Sequence, residues 1–358
     1  MFSVAVLSRW HPHEQRYTPE LLASPDCRVA CVWDENPQRG KAWSEEINVP
    51  FVADLKDIWA DASIDGVVVT APTAMHKYNI IIELPLVDKD IIIAAANAGK
   101  HVFVEKSLAL TYQDALEIKE AIERNHVTFT IAYIRCTTGQ FMFAKKVMDS
   151  GLLGEVTTVR VRNGHNQGLN GMLPEYWFDP AQTGGGAMTD LGCHQMYLLD
   201  WLFGEPQELN ATYAFYKKHQ VDDSGACTAL YNDGKTLAIM DSSFTTFYSP
   251  YTFELYGTKG TLLVRIDRPG VEIFLPDDVE PWFLKEFGDA VEVRHEGDRT
   301  AYTVSNSVLP DDPSPLRSWV NACTKGDTVR FGIDSAVRLT HVVEAANESY
   351  RTGKKYRF

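Results

Sequence analysis

The chain has few cysteines, and none of them is arranged as a metal-binding or disulfide-forming pair. Its 358 residues include six cysteines, and no CxxC motif occurs. A secreted disulfide scaffold or a structural zinc site needs paired or closely spaced cysteines. We therefore expect reduced thiols, no metal site and a cytoplasmic protein. The six residues are Cys27, Cys31, Cys136, Cys193, Cys227 and Cys323.

Positive charge and long apolar segments are also scarce. The chain carries 34 basic residues against 48 acidic ones, which gives a formal net charge of −14. Nucleic acids and anionic membrane surfaces bind basic patches, so we expect neither as a partner. No apolar run reaches about eighteen residues, so no membrane span is predicted. The first residues, MFSVAVLSR, lack a basic leader segment and predict a strand instead of a secretory signal.

The first third of the chain alternates apolar strand segments with helical segments. FSVAVL, RVACVW, IDGVVVTAP, HVFVE and VTFTIAY are typical of buried parallel strands. Asn36 with Pro37, and Thr111, predict the starts of two helices, and Gly99 predicts the end of another. This order predicts an α/β domain over residues 1–132, a doubly wound parallel sheet of the Rossmann type.

From residue 133 onward the pattern changes. Segments such as EVTTVRVRN, GACTALYND and YTFELYGT follow one another with few helices between them. Such a series predicts an α+β domain over residues 133–358 with a large, mainly antiparallel open sheet. An open sheet leaves a face to bury, so we also expect a homo-oligomer, either a dimer or a tetramer.

The first loop lacks the glycines of the dinucleotide-binding fingerprint GxGxxG. The hydroxyl of Ser8 and the imidazoles of His11 and His13 can donate hydrogen bonds to phosphate where glycine amides would otherwise do so, and Arg9 could add a charge-assisted contact. Alternatively, the turn is built differently and binds nothing. The loop consists of Ser8, Arg9, Trp10, His11, Pro12 and His13.

The end of the second strand indicates which cofactor the loop would serve. Asp34 stands where a carboxylate receives the ribose hydroxyls of NAD and repels the 2′-phosphate of NADP. Arg9 and Arg39 are nearby cations that keep NADP as an alternative. We therefore expect NAD in preference to NADP.

Two further segments carry residues suited to redox chemistry on an alcohol. HVFVEKSLAL contains Lys106, and GGGAMTDLGCHQMYLLDWLFG contains Asp190 and His194. On one helix, residues four apart share a face, so we expect Asp190 and His194 to lie side by side. The glycine run before them predicts a close approach of the backbone to a ligand.

With these motifs the chain resembles the Gfo/Idh/MocA oxidoreductases, relatives of glucose-fructose oxidoreductase and inositol dehydrogenase. The resemblance covers nearly the whole chain, and its specific parts are the pair Glu105–Lys106 and the DxxxH motif. Three features depart from the family pattern. The first loop is similar to a Ser-x-x-His-x-His loop of some members, Ser107 replaces the usual proline, and the segment between His76 and Ala94 is longer than usual.

The resemblance implies roles for the candidate residues. Lys106 would lie beside the nicotinamide and hydrogen-bond the reacting oxygen. His194 is the candidate general acid–base, and Asp190 would orient it or bind a substrate hydroxyl. Whether Lys106 or His194 takes the proton stays open. Further cofactor-binding candidates are Trp10, Thr70, Pro72, His76 and Glu105, with His76 expected near the nicotinamide ribose.

Other polar and aromatic residues are candidates for contact with the substrate. Asn163, His165 and Asn166 end a strand of the second domain, where they could bind sugar hydroxyls or simply be polar loop residues. Trp177 could stack on a sugar face or fill the core.

We expect an NAD-dependent oxidoreductase that moves a hydride between nicotinamide and a secondary alcohol of a sugar, inositol or glycoside. One alternative is a glycosidase or lyase that oxidises its substrate transiently with no net redox change. The other is a non-catalytic regulatory member that binds sugar or NAD. The loss of glycines in the first loop favours this last alternative, and the presence of Lys106, Asp190 and His194 opposes it.

Overall fold

The computed structural model describes residues 1–74, 91–217 and 219–358. The chain divides into two compact units. The first comprises residues 1–133, 181–184 and 313–344, and the second comprises residues 134–180, 185–312 and 345–358. Among the described residues, no helix combines the length and the apolar character needed to cross a membrane.

The strands within the described ranges are numbered in chain order. They are β1 Phe2–Leu7, β2 Cys27–Trp33, β3 Gly66–Val69, β4 His101–Val104, β5 Phe129–Ile131, β6 Val156–Gly164, β7 Glu208–Ala214, β8 Ser224–Tyr231, β9 Thr236–Ser243, β10 Ser249–Gly257, β11 Thr261–Arg265, β12 Gly270–Pro276, β13 Val291–Glu296, β14 Arg299–Ser305 and β15 Tyr356–Arg357.

The helices of the same ranges are numbered likewise. They are α1 Glu14–Leu22, α2 Pro37–Ile47, α3 Leu55–Ala60, α4 Ile91–Asn97, α5 Tyr112–Arg124, α6 Gly139–Asp149, α7 Pro180–Thr183, α8 Ala187–Asp190, α9 Gly192–Phe203, α10 Trp282–Phe287, α11 Pro315–Lys325 and α12 Ile333–Thr352. Short 3₁₀ turns lie at Ile134–Thr137, Glu175–Phe178, Gly288–Ala290 and Asn306–Val308.

The first unit is built on a parallel sheet with the described strand order β2-β1-β3-β4-β5. All four pairings are parallel, and strands β1, β3 and β5 are buried along their whole length. Continuous apolar strands of this kind need cover on both faces, as the sequence predicted. The predicted Rossmann-type sheet is confirmed.

Local capping signals in the first unit also form as predicted. The Asn36 side chain accepts from the backbone N–H groups of Gln38 and Arg39, each at 3.1 Å, and so starts α2. Thr111 accepts from the N–H of Asp114 at 3.2 Å and starts α5. Both side chains satisfy amides that a helix start otherwise leaves without a partner.

Trp319 of α11 completes the core of the first unit from near the end of the chain. Its fully buried indole meets Phe2 edge-on at 5.3 Å between ring centroids and lies 6.0 Å from Phe103. Residues 313–344 therefore pack with the first unit, whereas the sequence-based boundary at residue 133 placed them in the second domain. The reason is tertiary packing, which no boundary signal in the sequence reveals.

The second unit carries a sheet with the described strand order β13-β14-β12-β11-β10-β6-β9-β8-β7-β15. Among the described pairings of this sheet, β6 with β9 is parallel and the others are antiparallel. The predicted mainly antiparallel sheet is confirmed. Along β8, buried residues alternate with exposed or half-buried ones, which is typical of a sheet covered on one face.

Candidate functional site

The first loop makes its tight turn with a serine. Ser8 has φ +77°, in the left-handed region that usually favours glycine, and it is fully buried. Its hydroxyl accepts from the N–H of Trp10 at 3.0 Å, and its carbonyl oxygen accepts from the Thr70 hydroxyl at 2.7 Å. The loop after β1 is therefore joined to the end of β3, and Ser8 occupies the conformation that the fingerprint assigns to glycine.

The backbone amides of this loop are bonded within the protein. The N–H of Arg9 donates to Asp34, that of His11 donates to the carbonyl of Thr70 at 3.2 Å, and that of His13 donates to Nδ1 of His11 at 3.2 Å. The following amides, from Glu14 to Tyr17, donate to carbonyl groups of the preceding turn. From Ser8 to Tyr17, all of which the structure describes, every backbone N–H has an acceptor, and Pro12 has no N–H.

Asp34 is held at the end of β2 by three donors. Its Oδ2 accepts from the N–H of Arg9 at 2.9 Å and from Nε of Arg39 at 2.8 Å, and its Oδ1 accepts from the N–H of Asn36 at 2.7 Å. Arg39 also donates to Glu35. Burial and the Asp34 carboxylate raise the pKa of Glu35. The structure thus brings Asp34 and Arg39 together as partners of each other.

Arg9 is already neutralised by acidic side chains. Its Nε donates to Glu14 at 3.0 Å, and its two terminal nitrogens donate to the carboxylate oxygens of Glu46. The guanidinium also lies over the ring of Trp43 at 5.8 Å from the centroid. One cation facing two carboxylates carries no net positive charge toward a ligand.

Glu105 links the first loop to the lysine motif at the end of β4. Its Oε2 accepts from the Tyr17 hydroxyl and from Nδ1 of His13 at 3.1 Å, and its Oε1 accepts from the N–H of Lys106 at 3.1 Å. Burial favours a high pKa for Glu105. The imidazoles of His13 and His11, together with the Lys106 ammonium, outweigh burial and hold that pKa well below its usual range. The carboxylate is therefore a buried anion.

The imidazoles of His11 and His13 meet edge to face, with ring centroids 4.6 Å apart. Their nitrogens lie within 4.8 Å of a Glu105 carboxylate oxygen. The expectation that the protein has no metal site stays a prediction.

Lys106 is 6% exposed, and its peptide bond to Ser107 is cis. Trp10, Thr70 and Pro72 are buried in the same unit. His76 lies outside the described residues, as does most of the long segment between His76 and Ala94.

In the second unit, the glycine run packs against protein and starts a short helix. A Cβ on Gly186 would collide with the carbonyl oxygen of Asp222. The Asp222 carboxylate accepts from the N–H groups of Gly186 and Met188, each at 2.8 Å. The sequence predicted that these glycines let the backbone approach a ligand. At Gly186 the close approach is to Asp222.

The DxxxH motif spans a break between two helices. Asp190 is the last residue of α8, Leu191 lies between the helices, and His194 is in the first turn of α9. The prediction of one continuous helix is corrected at one residue: Leu191 separates α8 from α9, although it keeps helical dihedral angles and its N–H donates to the carbonyl oxygen of Ala187 at 2.9 Å. Asp190 is half-buried and His194 is 7% exposed.

His194 is tied to a tyrosine one helical turn later. Its Nδ1 lies 2.9 Å from the Tyr197 hydroxyl, and that oxygen accepts from the backbone N–H of Arg135 at 3.1 Å. Burial raises the pKa of Tyr197 far above its usual value, so the phenol stays neutral. A neutral phenol that accepts from one side can donate to Nδ1 on the other. That arrangement leaves Nε2 of His194 as the nitrogen that carries the proton.

Three of the predicted substrate-binding residues, Asn163, His165 and Asn166, lie at the end of β6 or directly after it. His165 stacks on Phe244 at 5.3 Å with the rings 15° from parallel. Burial lowers the pKa of His165, and the charge of Asp190 opposes that effect, so Asp190 is close enough to act on it. Asn163 and Asn166 are half-buried, and Trp177 is 7% exposed.

Several residues of these clusters were not predicted from the sequence. Tyr17 lies four positions after His13, and Tyr197 lies three after His194, so helical spacing was a usable signal for both. Asp222 had no such signal, because it meets the glycine run from 36 positions away. Lys106 belongs to the first unit, and Asp190 and His194 belong to the second.

Comparison with known proteins agrees with this architecture. A family model described as the oxidoreductase family with an NAD-binding Rossmann fold matches residues 10–133, and a model of the GFO/IDH/MocA C-terminal domain matches residues 141–263.

Individual relatives are similar over most of their length. A scyllo-inositol 2-dehydrogenase (NADP(+)) of Bacillus subtilis (strain 168) is 24% identical over 325 residues, 86% of this chain and 84% of the relative. A 2,7-anhydro-N-acetylneuraminate hydratase of Escherichia coli (strain K12) is 22% identical, over 77% of this chain and 71% of the relative. The structure of a levoglucosan dehydrogenase with NADH and levoglucosan has the same fold, with a TM-score of 0.80 at 18% identity over 99% and 98% of the two chains. The two family models together span most of the chain, which therefore belongs to the Gfo/Idh/MocA family of oxidoreductases with an NAD-binding Rossmann domain.

Proposed function

We propose that this protein transfers a hydride between NAD(H) and a secondary alcohol of a sugar, inositol or glycoside. The observation that carries the proposal is the burial of Lys106. Lys106 is a buried lysine at the carboxyl end of a parallel strand, where ligands of such sheets bind, and its neighbour Glu105 is bonded to the first loop. A lysine is costly to bury unless it serves a partner or a ligand.

The residues present fit a dinucleotide at the first unit. Asp34 is fixed at the end of β2 and can accept a ribose hydroxyl, and the imidazoles of the first loop can bind phosphate. Thr70 and Pro72 follow β3 at the same edge of the sheet. When bound, NAD supplies the hydride acceptor or donor, and the protein supplies binding, orientation and proton transfer.

Three side chains divide the chemistry. Lys106 hydrogen-bonds the reacting oxygen and stabilises the charge that develops there. His194 acts as the acid–base group at Nε2, since Nδ1 is turned to Tyr197. Asp190 binds a substrate hydroxyl and acts electrostatically on His165. The substrate-binding set is completed by Asn163, His165, Asn166 and Trp177.

The charge arrangement around Asp34 supports NAD over NADP. Arg39 is paired with Asp34 and Glu35, and Arg9 is paired with Glu14 and Glu46. To bind a 2′-phosphate, either arginine would have to leave carboxylate partners that it already has. One relative has NADP(+) in its name, so the preference between NAD and NADP should be measured directly.

A second candidate is net non-redox chemistry on a glycoside, in which NAD is reduced and reoxidised within one turnover. A relative named as a hydratase supports this alternative. Consumption of free NAD separates the two, because only the dehydrogenase accumulates NADH. A protein that binds NAD or sugar but turns nothing over would be the regulatory alternative.

The first experiment titrates the purified protein with NADH and NADPH by nicotinamide fluorescence, followed by a screen of polyols and glycosides for NAD reduction. Lys106→Ala and His194→Ala should each lower turnover by a hundredfold or more, about the range for acid–base groups. The exposed Lys354→Ala is a matched control and should keep full activity. Undiminished turnover in both site variants would refute the roles proposed for Lys106 and His194.

The assembly and location belong to the same proposal. The second unit would form a homodimer or homotetramer through the open face of its sheet, bind the substrate and act in the cytoplasm. The first unit would bind the cofactor. Size-exclusion chromatography with light scattering tests the assembly.

A further inference from the structure

We infer that the substrate is a glycoside whose aglycone, the part attached to the sugar, is uncharged and apolar and packs against a hydrophobic patch beside His165. The patch consists of Leu169, Met172, Phe247 and Tyr248. The inference rests on the proposed function, because it names the kind of glycoside that the proposed hydride transfer would take.

The patch is carried by two loops that leave the large sheet at the same edge. Strands β6 and β9 are parallel neighbours, and Gly164 at the end of β6 lies opposite Ser243 at the end of β9. Residues 165–173 follow β6, and residues 244–248 follow β9. The candidate substrate residue His165 is the first residue of the former loop, so both loops lie at the proposed substrate end of the sheet.

Backbone hydrogen bonds join the two loops. The N–H of His165 donates to the carbonyl of Ser243 at 2.9 Å, and the N–H of Thr246 donates to the carbonyl of His165 at 3.1 Å. The N–H of Gly168 donates to the carbonyl of Phe244 at 2.9 Å. A Cβ on Gly168 would lie 2.9 Å from Cβ of Phe244, so the loops are in close contact. They therefore form one surface around His165.

Each loop exposes two large apolar side chains on that surface. Phe247 directly follows Thr246, whose N–H is bonded to His165, so Phe247 lies beside the candidate substrate residue. Single exposed apolar side chains are ordinary, but a cluster next to polar ligand-binding residues marks a binding surface. The exposed fractions are 38% for Leu169, 66% for Met172, 87% for Phe247 and 64% for Tyr248.

The patch is partly ordered before any ligand binds. The Tyr248 hydroxyl donates to Asp267 at 2.7 Å, and Arg265 donates to the same carboxylate. The N–H of Met172 donates to the carbonyl of Gln167 at 3.2 Å, which closes a turn within its loop. Groups that are already held in place lose less conformational entropy on binding than mobile ones. The phenol ring thus presents a fixed face.

The composition of the two loops indicates the chemistry of the aglycone. Neither residues 166–173 nor residues 244–248 contain Asp, Glu, Lys, Arg or His. A phosphate or carboxylate needs cationic donors, whereas a thioether and aromatic rings pack on apolar or aromatic groups. An aromatic or alkyl aglycone therefore fits the patch better than a nucleotide. A free sugar or inositol would leave the patch in water.

The test compares phenyl and methyl glycosides of glucose and galactose, in both anomers, as substrates for NAD reduction. For the sugar that is oxidised, kcat/KM should be about three- to tenfold higher for the phenyl glycoside, the range for one aromatic contact. The gain should lie in KM, because contacts remote from the reacting carbon stabilise ground state and transition state alike. UDP-glucose, whose aglycone is charged, should be a poorer substrate than phenyl glucoside.

Two truncations locate the effect. Phe247→Ala and Met172→Ala should each lower the phenyl-to-methyl ratio of kcat/KM toward one, and both side chains are exposed enough for the variants to fold. Val293→Ala is the matched control, because it truncates an apolar side chain that is 47% exposed in β13 of the same unit. This control should keep the ratio of the wild type.

Each other outcome has a distinct meaning. Equal kcat/KM for phenyl and methyl glycosides, or a phenyl preference that survives Phe247→Ala, would leave the proposed function intact and refute the inference. If no sugar reduces NAD, the proposed function fails, and calorimetry with phenyl glucoside then decides: binding lost in Phe247→Ala supports the patch, and absence of binding refutes it. A smaller assembly of Phe247→Ala in light scattering, with an unchanged ratio, would show that a second copy of the chain covers the patch.

Discussion

The Asp222 carboxylate should be one of the larger single contributions to the stability of the second unit. It accepts the N–H groups of Gly186 and Met188 at 2.8 Å each, at the start of α8. Asp222→Ala removes both acceptors and leaves two buried donors without partners. The third contact, from the N–H of Ala187 to the backbone oxygen of Asp222, survives any substitution.

The magnitude follows from these bonds. A hydrogen bond to a charged group contributes about 1.5–3 kcal/mol, so two give about 3–6 kcal/mol. Against this stands the cost of burying a carboxylate, and burial does raise the pKa of Asp222. We expect Asp222→Ala to lower the free energy of unfolding by about 2–4 kcal/mol. Asp222→Asn should lose less, because one acceptor oxygen remains while its NH₂ group faces the other amide.

The measurement is equilibrium unfolding in urea, followed by far-UV circular dichroism and by activity. Asp298→Ala makes the same chemical change at a side chain that is 94% exposed, and it should stay within about 0.5 kcal/mol of the wild type. If Asp222→Ala behaves like this control, the glycine run is not held by Asp222 and the reasoning is refuted.

Substitutions at Ser8, Glu105 and Gly139 test other parts of the structure. Ser8→Gly should be more stable to urea than Ser8→Ala by about 1 kcal/mol, since both lose the hydroxyl and only alanine keeps the strain of a positive φ; equal stabilities would contradict that strain. Burial favours a high pKa for Glu105, but its partners lower that pKa in the folded protein. The ionised carboxylate therefore stabilises the fold above the pKa of the unfolded chain, about 4.5, and this stabilisation is lost as the pH falls through the folded pKa. Glu105→Gln should therefore flatten the acid limb of the stability–pH curve, measured by urea titration at each pH. Gly139→Ala should unfold at lower temperature or fail to fold, because its Cβ would collide with the carbonyl of Leu309, while Gly332→Ala, with its nearest neighbour at 3.8 Å, should melt like the wild type in calorimetry.

Local sequence signals predicted local structure well. Asn36 and Thr111 cap their helices because a side chain and an amide two or three positions away need no other part of the chain. The order of the large sheet could not be derived in this way. Strand β6 lies between β9, which is parallel to it, and β10, which is antiparallel. That order depends on pairings between residues about eighty or ninety positions apart, and no turn signal encodes it.

The same difference between local and long-range signals applies to the candidate site. The residue types at Lys106, Asp190 and His194 were visible as motifs, but their immediate partners were not. His13 seemed a phosphate donor from its position alone, whereas its Nδ1 is engaged by Glu105, 92 positions away. Leu191 separates α8 from α9, so helical periodicity predicted one helix where there are two.

The position of Trp319 has a consequence for synthesis and dissection of the chain. The hydrophobic core around Phe2 and Phe103 is closed by a segment that is translated long after the strands of that sheet. The Rossmann-type sheet therefore cannot reach its final packing during translation of its own strands, although N-terminal domains generally do so. A fragment of residues 1–133 would expose the apolar side chains that pack against that indole, and it would aggregate. Minimal cofactor-binding fragments of this protein must join residues 313–344 to it by a linker.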